Sequence, residues 1–327
     1  MLFRFLSGFG MKKLILLLLI LTGCGYFAVT FAPKKTATRS NSGTAVAANR
    51  LFFSTLHAGR YEEIPSVLTA LQTAYLENPN DPELASHIAM AHIWQLAERY
   101  RSDQISPRIT DNIVLCRRYF AEAYQLDPNP VNLGFLGSCT AAEGNLFKDE
   151  KLQRKGYYLL KDGIAAWPEF NYFTMGYIMS ALPYDSPRYA EALELQWKNL
   201  DACISESINR AEPKIERYLR LQTTTGPKRA CWNSSIAPHN DEGFFLNMGD
   251  MLVKSGDWRT AQVVYANAKY FETYKDWQFK DILEDRIKNA ERNVAEFRRE
   301  LPRGGVAPDH PTIMFQSRFA CVACHQN

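Results

Sequence analysis

The 327-residue chain is 46% hydrophobic and 13% aromatic, enough to bury a sizeable core and too apolar for a disordered chain. Its 38 Lys and Arg stand against 35 Asp and Glu, and three of those bases, Arg4, Lys12 and Lys13, lie in the acid-free first 23 residues. Without them the body carries 35 charges of each sign, a neutral balance that gives no sign of nucleic-acid binding.

Met11 to Cys24 reads MKKLILLLLILTGC: a short basic start, an apolar run from Leu14 to Leu21, then small residues. That is the layout of a secretory signal. It reads best from Met11, since the first ten residues add only an aromatic prefix. The last four residues, Leu21-Thr22-Gly23-Cys24, resemble the lipobox of bacterial lipoproteins. The resemblance implies that residues 1–23 are removed as a signal peptide and that Cys24 becomes a lipid-modified first residue, the membrane attachment. Gly25 and Tyr26 lack the acidic residue that marks inner-membrane retention in that family, so the periplasmic face of the outer membrane is expected. A competing reading is an uncleaved anchor, because apolar character continues from Leu14 to Ala32, just long enough to span a bilayer. In both readings the bases precede the apolar run, which places the body outside the cytoplasm. Residues 24–49 are expected to form a flexible linker. Its small, polar stretch from Ala32 to Asn49 reaches about 25 Å by random-coil scaling.

Residues 50–275 show helical periodicity and almost no alternating β-branched runs, which predicts an all-α fold. Between Phe245 and Ala268 the order Phe245, Met248-Gly249, Leu252, Gly256, Trp258, Ala261, Tyr265, Ala268 resembles the tetratricopeptide repeat. Small residues at Gly249 and Ala261 let two helices of a hairpin approach; Trp258 and Tyr265 fill the space between hairpins. Cys116, Phe120, Ala123 and Pro128 keep the second half of the pattern, and Gly156, Leu160, Gly163 and Pro168 repeat it, each Pro stopping a helix. Tyr61, Ile64, Leu68 and Leu71 with Pro79 form a looser copy, as do Tyr189 and Ala192. Four to five degenerate repeats are expected, then a capping helix over 276–301 that buries Ile282, Ile287, Ala290, Val294 and Phe297. The resemblance implies a helical-hairpin solenoid whose concave surface binds protein segments. The period breaks at Arg101 to Ile109 and at Arg210 to Pro238.

Cys116, Cys139, Cys203 and Cys231 are an even set in an oxidising compartment, where disulfides persist. The pairing expected is Cys116 with Cys139 and Cys203 with Cys231, each pair joining neighbouring helices or their connection; four buried free thiols are the alternative.

The tail, residues 302–327, ends in Cys321-Val322-Ala323-Cys324-His325-Gln326-Asn327. Cys-x-x-Cys-His is the attachment signature of a c-type haem. The thiols of Cys321 and Cys324 add across its vinyl groups, and His325 coordinates the iron axially. One covalent haem c is therefore expected, in a compartment that agrees with the N-terminus. A disulfide and half of a zinc site are the other readings; zinc needs a second ligand pair, and no other Cys-x-x-Cys is present. His239, His310, Met314, His87 and His92 are the candidates for the sixth iron position. His239 and Met314 stand foremost, the first in a loop before the best-formed repeat and the second close to the motif. For His239 the plainer reading is a loop residue beside a helix capped by Asn240 or Asp241. His87 and His92, five apart, read as packing or surface residues. Asp241 and Glu242 read as ordinary first-turn acids, not as acid–base catalysts.

A motif so near the end resembles cytochromes c′, whose attachment helix is last, although this chain is longer and shows no four-helix unit. Two residues follow His325, so the walls around a haem are expected from the solenoid, from Arg303 to Ala320, or from another protein, with Phe315 and Phe319 against the macrocycle. The expected function is that of an envelope-anchored monohaem c-type cytochrome, docking protein partners in a redox or assembly complex. The alternative is a non-haem scaffold lipoprotein whose C-terminal cysteines form a disulfide. A haem enzyme or gas sensor would need a small-molecule pocket that the sequence does not show.

Overall fold

The computed structural model describes residues 30–102, 104–299 and 310–326, together with residues 10, 13, 15, 24 and 26–28. Residues 1–36 and 37–327 form two separate units. In the first, Cys24 is an exposed free thiol and Phe27 stacks on Phe31 with ring centroids 5.6 Å apart. Most of the signal peptide expected over 1–23, including Leu21 to Gly23, lies outside the described residues. Among the described residues no helix is long and apolar enough to cross a membrane.

The second unit is an all-α solenoid of five helical hairpins. They pair α1 (Gly43–His57) with α2 (Ile64–Glu77), α3 (Pro82–Ala97) with α4 (Asp111–Leu126), α5 (Pro130–Phe147) with α6 (Glu150–Ala166), α7 (Pro168–Met179) with α8 (Pro187–Ile204), and α9 (Asp241–Ser255) with α10 (Trp258–Ala266). Helix α11 (Lys280–Arg298) packs over the last hairpin, and α12 (Val322–His325) is a single turn in the tail. Local chemistry sets these starts. Asp81-Pro82 and Asn129-Pro130 each place a side-chain acceptor at the cap and a Pro in the first turn, with Asp81 accepting from the Glu83 N–H at 2.9 Å and Asn129 from Asn132 at 2.9 Å. The acceptor satisfies an otherwise unpaired N–H, and Pro has none to lose.

Helix α1 begins inside the segment expected to be linker. Ser42 caps it through the Ala45 N–H at 3.1 Å, and Ser40 N–H donates to Asp81 at 2.7 Å. The run Gly43 to Arg50 is rich in Ala, a strong helix former once capped, so the chain is fixed before residue 49.

The two helices of a hairpin differ in kind. The outer helix α6 buries only Gly156, Leu160 and Gly163, a stripe of one face. The inner helix α9 buries every residue from Phe245 to Lys254, and α3 every residue from Leu84 to Ala89. A helix buried all round has packing on both sides. One side is the partner helix of its hairpin; for α3 the other includes α1 and α5, through His87 on Asn49 and Phe52 and Ser86 on Asn132, and for α9 it includes the chain's own C-terminal tail, which also bonds α1, the end of α3 and α7. At α5 and α6 the helices approach so closely that a Cβ on Gly137 would lie 2.8 Å from the Leu160 nitrogen.

Helix α11 buries Leu283, Arg286, Ala290, Asn293 and Phe297. The expected face is thereby rotated: Ala290 and Phe297 keep their place, while Ile287 and Val294 are only partly buried. The cause is an ion pair between Arg286 Nε and the fully buried Asp250 of α9 at 3.2 Å, which draws the Arg286 side of the helix inward. Two disulfides join Cys116 to Cys139 and Cys203 to Cys231, with Cα atoms 5.9 and 5.7 Å apart.

Candidate cofactor site at the C-terminal motif

The tail enters the solenoid at Thr312, whose carbonyl accepts from Arg286 Nη2 at 2.7 Å, and Met314 N–H donates to Asp250 Oδ2 at 2.7 Å. Asp250 also accepts from the Tyr265 hydroxyl at 2.6 Å. Burial pushes its carboxyl up, opposed by Arg286, Tyr265 and the Met314 amide. Phe315 then lies edge-on to Tyr177 at 4.9 Å, and Phe319 packs on Phe279 at 5.4 Å.

A four-residue helix is far too short to be stable alone, so the form of α12 is imposed by its surroundings. Fully buried Glu98, at the end of α3, receives the N–H groups of Cys321 and Val322 on Oε1 at 2.8 and 2.9 Å. Its Oε2 accepts from Trp94 Nε1 at 2.9 Å and faces Arg101 Nε at 2.9 Å. Burial raises the Glu98 carboxyl, and Arg101 with the N–H donors pulls it back. Arg101 reaches further, donating to the Arg318 carbonyl at 2.7 Å and the Gly59 carbonyl at 2.8 Å.

The carbonyls of the turn are held just as fully. Tyr177 donates its hydroxyl to Ala320, Trp277 Nε1 to Ala323 at 3.0 Å, the Asn240 N–H to Cys324 at 2.7 Å and His57 Nδ1 to His325 at 2.8 Å. Five separate parts of the fold thus grip one turn.

Within it the side chains divide. Val322 and Ala323 are wholly buried in the core, and Cys324 nearly so. Cys321 and His325, one turn apart and so on one face, keep partial exposure. Cys324 is seated against α9 at Gly243, where a Cβ would come within 2.5 Å of Sγ. The His325 ring points Nδ1 at the Pro238 carbonyl, 2.7 Å away. A nitrogen facing a carbonyl must carry the proton, so Nε2 keeps the lone pair that a metal ion uses. Burial pushes the imidazole down to about 4, despite the Pro238 bond, and keeps the ring neutral. Burial likewise pushes the Cys324 thiol up to about 12, reinforced by Asp241 and Glu242, and raises Cys321 with help from Glu98. Both sulfurs are therefore thiols at neutral pH in this fold. Among the described residues no cluster of three or more His, Cys, Asp or Glu is arranged to hold a metal ion.

The candidate sixth ligands scatter. His87 stacks on Phe52 at 4.9 Å and bonds Asn49 at 2.7 Å, while His92 bonds Asn112 at 2.7 Å. His310 pairs with Glu296 at 3.3 Å. Met314 is fully buried in the same core as Ala323 and Cys324. His239 adds a smaller push to the downward shift of His325. Its Nδ1 meets the Asn240 carbonyl at 3.1 Å, while the Asn240 side chain caps α9 through Gly243 N–H at 2.9 Å.

Glu98, Arg101, His57, Pro238 and Gly243 were not legible as site residues, yet one signal pointed to four of them. The grip comes from or beside the two segments where the repeat period breaks: Glu98 and Arg101 adjoin the first, and Pro238 ends the second, with Gly243 just beyond. Compared with known proteins, the chain matches no family model, no curated protein and no solved structure.

Proposed function

We propose that this is an envelope-anchored monohaem c-type cytochrome, carrying electrons or supporting assembly in a redox complex, with a tetratricopeptide-like body that docks protein partners. The observation that carries the reading is the His325 ring, whose Nδ1 is spent on Pro238 while Cys321 shares its partly exposed face. The donor set fits a haem: two thiols, a neutral imidazole with Nε2 available, and Phe319, Phe279 and Trp277 as nearby apolar walls. The haem would supply a one-electron couple. Cys321 and Cys324 would hold it by thioethers, His325 would give a nitrogen to the iron, and Pro238 would fix that ring's tautomer. His239 and Met314 stay the candidates for the remaining iron position, although both His239 ring nitrogens face carbonyls, Asn240 at 3.1 Å and Ala230 at 3.5 Å, and Met314 is fully buried. The lipobox supports lipidation at Cys24 and the outer-membrane site. Because the tail occupies the inner helices, protein partners would meet the rim around Cys321 and His325 or the outer helices. This is electron carriage or scaffolding and not catalysis on a small substrate.

A second reading, a non-haem scaffold with a Cys321–Cys324 disulfide, is favoured by one observation: the Cys324 sulfur is packed against Gly243 with no space for added bulk there. Expression with a cytochrome c maturation system and haem staining of a denaturing gel separates the two. A stained band that is lost in the C321S/C324S variant supports the cytochrome; an unstained wild-type band supports the scaffold.

A further inference from the structure

The geometry points to Glu98 as the positioning residue of the motif: its buried carboxylate holds the attachment turn by two backbone bonds and lowers the midpoint potential of the haem attached there. This rests on the cytochrome reading.

The charge follows from the partners. The three hydrogen bonds to the carboxyl, from the amides of Cys321 and Val322 and from Trp94 Nε1, are all donated to it, and the Arg101 guanidinium stands beside it as an ion pair. A protonated carboxyl would turn its own O–H toward one of these donors or toward the guanidinium, whereas a carboxylate accepts all three bonds and pairs with the cation. The side chain is fully buried, and charge-assisted bonds in such a site are the strong ones. The oxygen that takes the two amides is not the one that meets Arg101 and Trp94, so Glu98 ties the end of α3 rigidly to the start of α12. The anion is bonded to the amide of Cys321, one helical turn before His325, which would give its nitrogen to the iron. Oxidation of a haem adds a positive charge, and a nearby buried anion favours that state with little screening by water. Arg101 offsets part of this field, but its guanidinium is partly exposed and shared with the carbonyls of Gly59 and Arg318.

Two substitutions separate position from charge. Glu98→Gln keeps the length and one acceptor but removes the charge; Glu98→Asp keeps the charge and draws it back from the amides by one methylene. Full-length wild type, E98Q and E98D are prepared with the maturation system and read for midpoint potential and for amide exchange at Cys321 and Val322. E98Q is expected to shift the reduced-to-oxidised ratio at fixed potential about tenfold toward reduced, a rise of 59 mV for a one-electron couple. E98D is expected to speed exchange of the two amides at least tenfold while moving the potential far less. A haem-loaded E98Q with the wild-type potential overturns the electrostatic role. Wild-type amides at Cys321 and Val322 that exchange as fast as exposed ones overturn the positioning role, even where neither variant folds. Wild type without covalent haem sinks the cytochrome reading and with it the potential; the exchange comparison, made on the haem-free chain, still decides whether Glu98 holds the turn.

Discussion

Gly243 is where one atom decides whether the motif fits. A methyl group there would meet Cys324 Sγ at 2.5 Å and the Ala323 carbonyl at 2.7 Å, so the attachment turn must move or α9 must shift. Glycine to alanine at 243 is expected to lower stability by about 1–3 kcal/mol, the usual cost of overpacking, read from urea midpoints, and, on the proposed cytochrome reading, to weaken the stained band. A different consequence attaches to His87. Burial against Phe52 pushes its imidazole down to about 4. Above about pH 6.5 the ring is neutral whether the chain is folded or not. Below that the unfolded chain takes a proton that the folded ring refuses until about pH 4. Stability contributed by the neutral ring is thus lost as pH falls from 6.5 to 4, by up to about 3 kcal/mol from this group. His87→Leu should flatten that acid limb in denaturation curves taken at pH 7 and pH 5; an unchanged limb would show that other groups cause it.

At the scale of elements, the loop between α8 and α9 matters more than its irregularity suggests. It carries Pro238 to the His325 ring, and the Cys203–Cys231 disulfide ties it to the end of α8. Removing that disulfide (C203S/C231S) is expected to cost about 2–4 kcal/mol and, on the proposed cytochrome reading, to disturb the visible spectrum, because the Pro238 carbonyl loosens. Removing Cys116–Cys139 should cost stability and leave the spectrum unchanged, since α4 and α5 give no bond to the motif. Much of this architecture was legible in the sequence. Pro168 and Pro128, the Trp258 to Ala268 spacing and the small residues of α6 gave the hairpins, because these features act within one helix or between adjacent ones. The motif's surroundings were not, for a physical reason. Glu98 and Cys321 are 223 residues apart, and a bond of that separation leaves no periodic trace. The start of α1 was hidden for another reason: polar composition read as linker, although Ser42 and the alanines make a capped helix.

Over the whole molecule, the solenoid is folded around its own C-terminal segment. The buried Asp250–Arg286 pair fixes one end of the tail and the Glu98–Arg101 pair the other. Breaking the first pair with Arg286→Met leaves Asp250 buried without its cation, and a loss of about 3–5 kcal/mol is expected, with the tail becoming sensitive to limited proteolysis while α1 to α8 stay protected. Cleavage spread evenly along the chain would show that the pair serves the whole core instead of the tail. The central claim is that this enclosed turn carries a covalent cofactor. Its most direct test is the intact mass of the purified protein after expression with a cytochrome c maturation system, combined with the mass of the peptide that contains Cys321 and Cys324. The account predicts that both masses increase by one haem. A peptide of bare polypeptide mass, or one lighter by the two hydrogens of a disulfide, would contradict it.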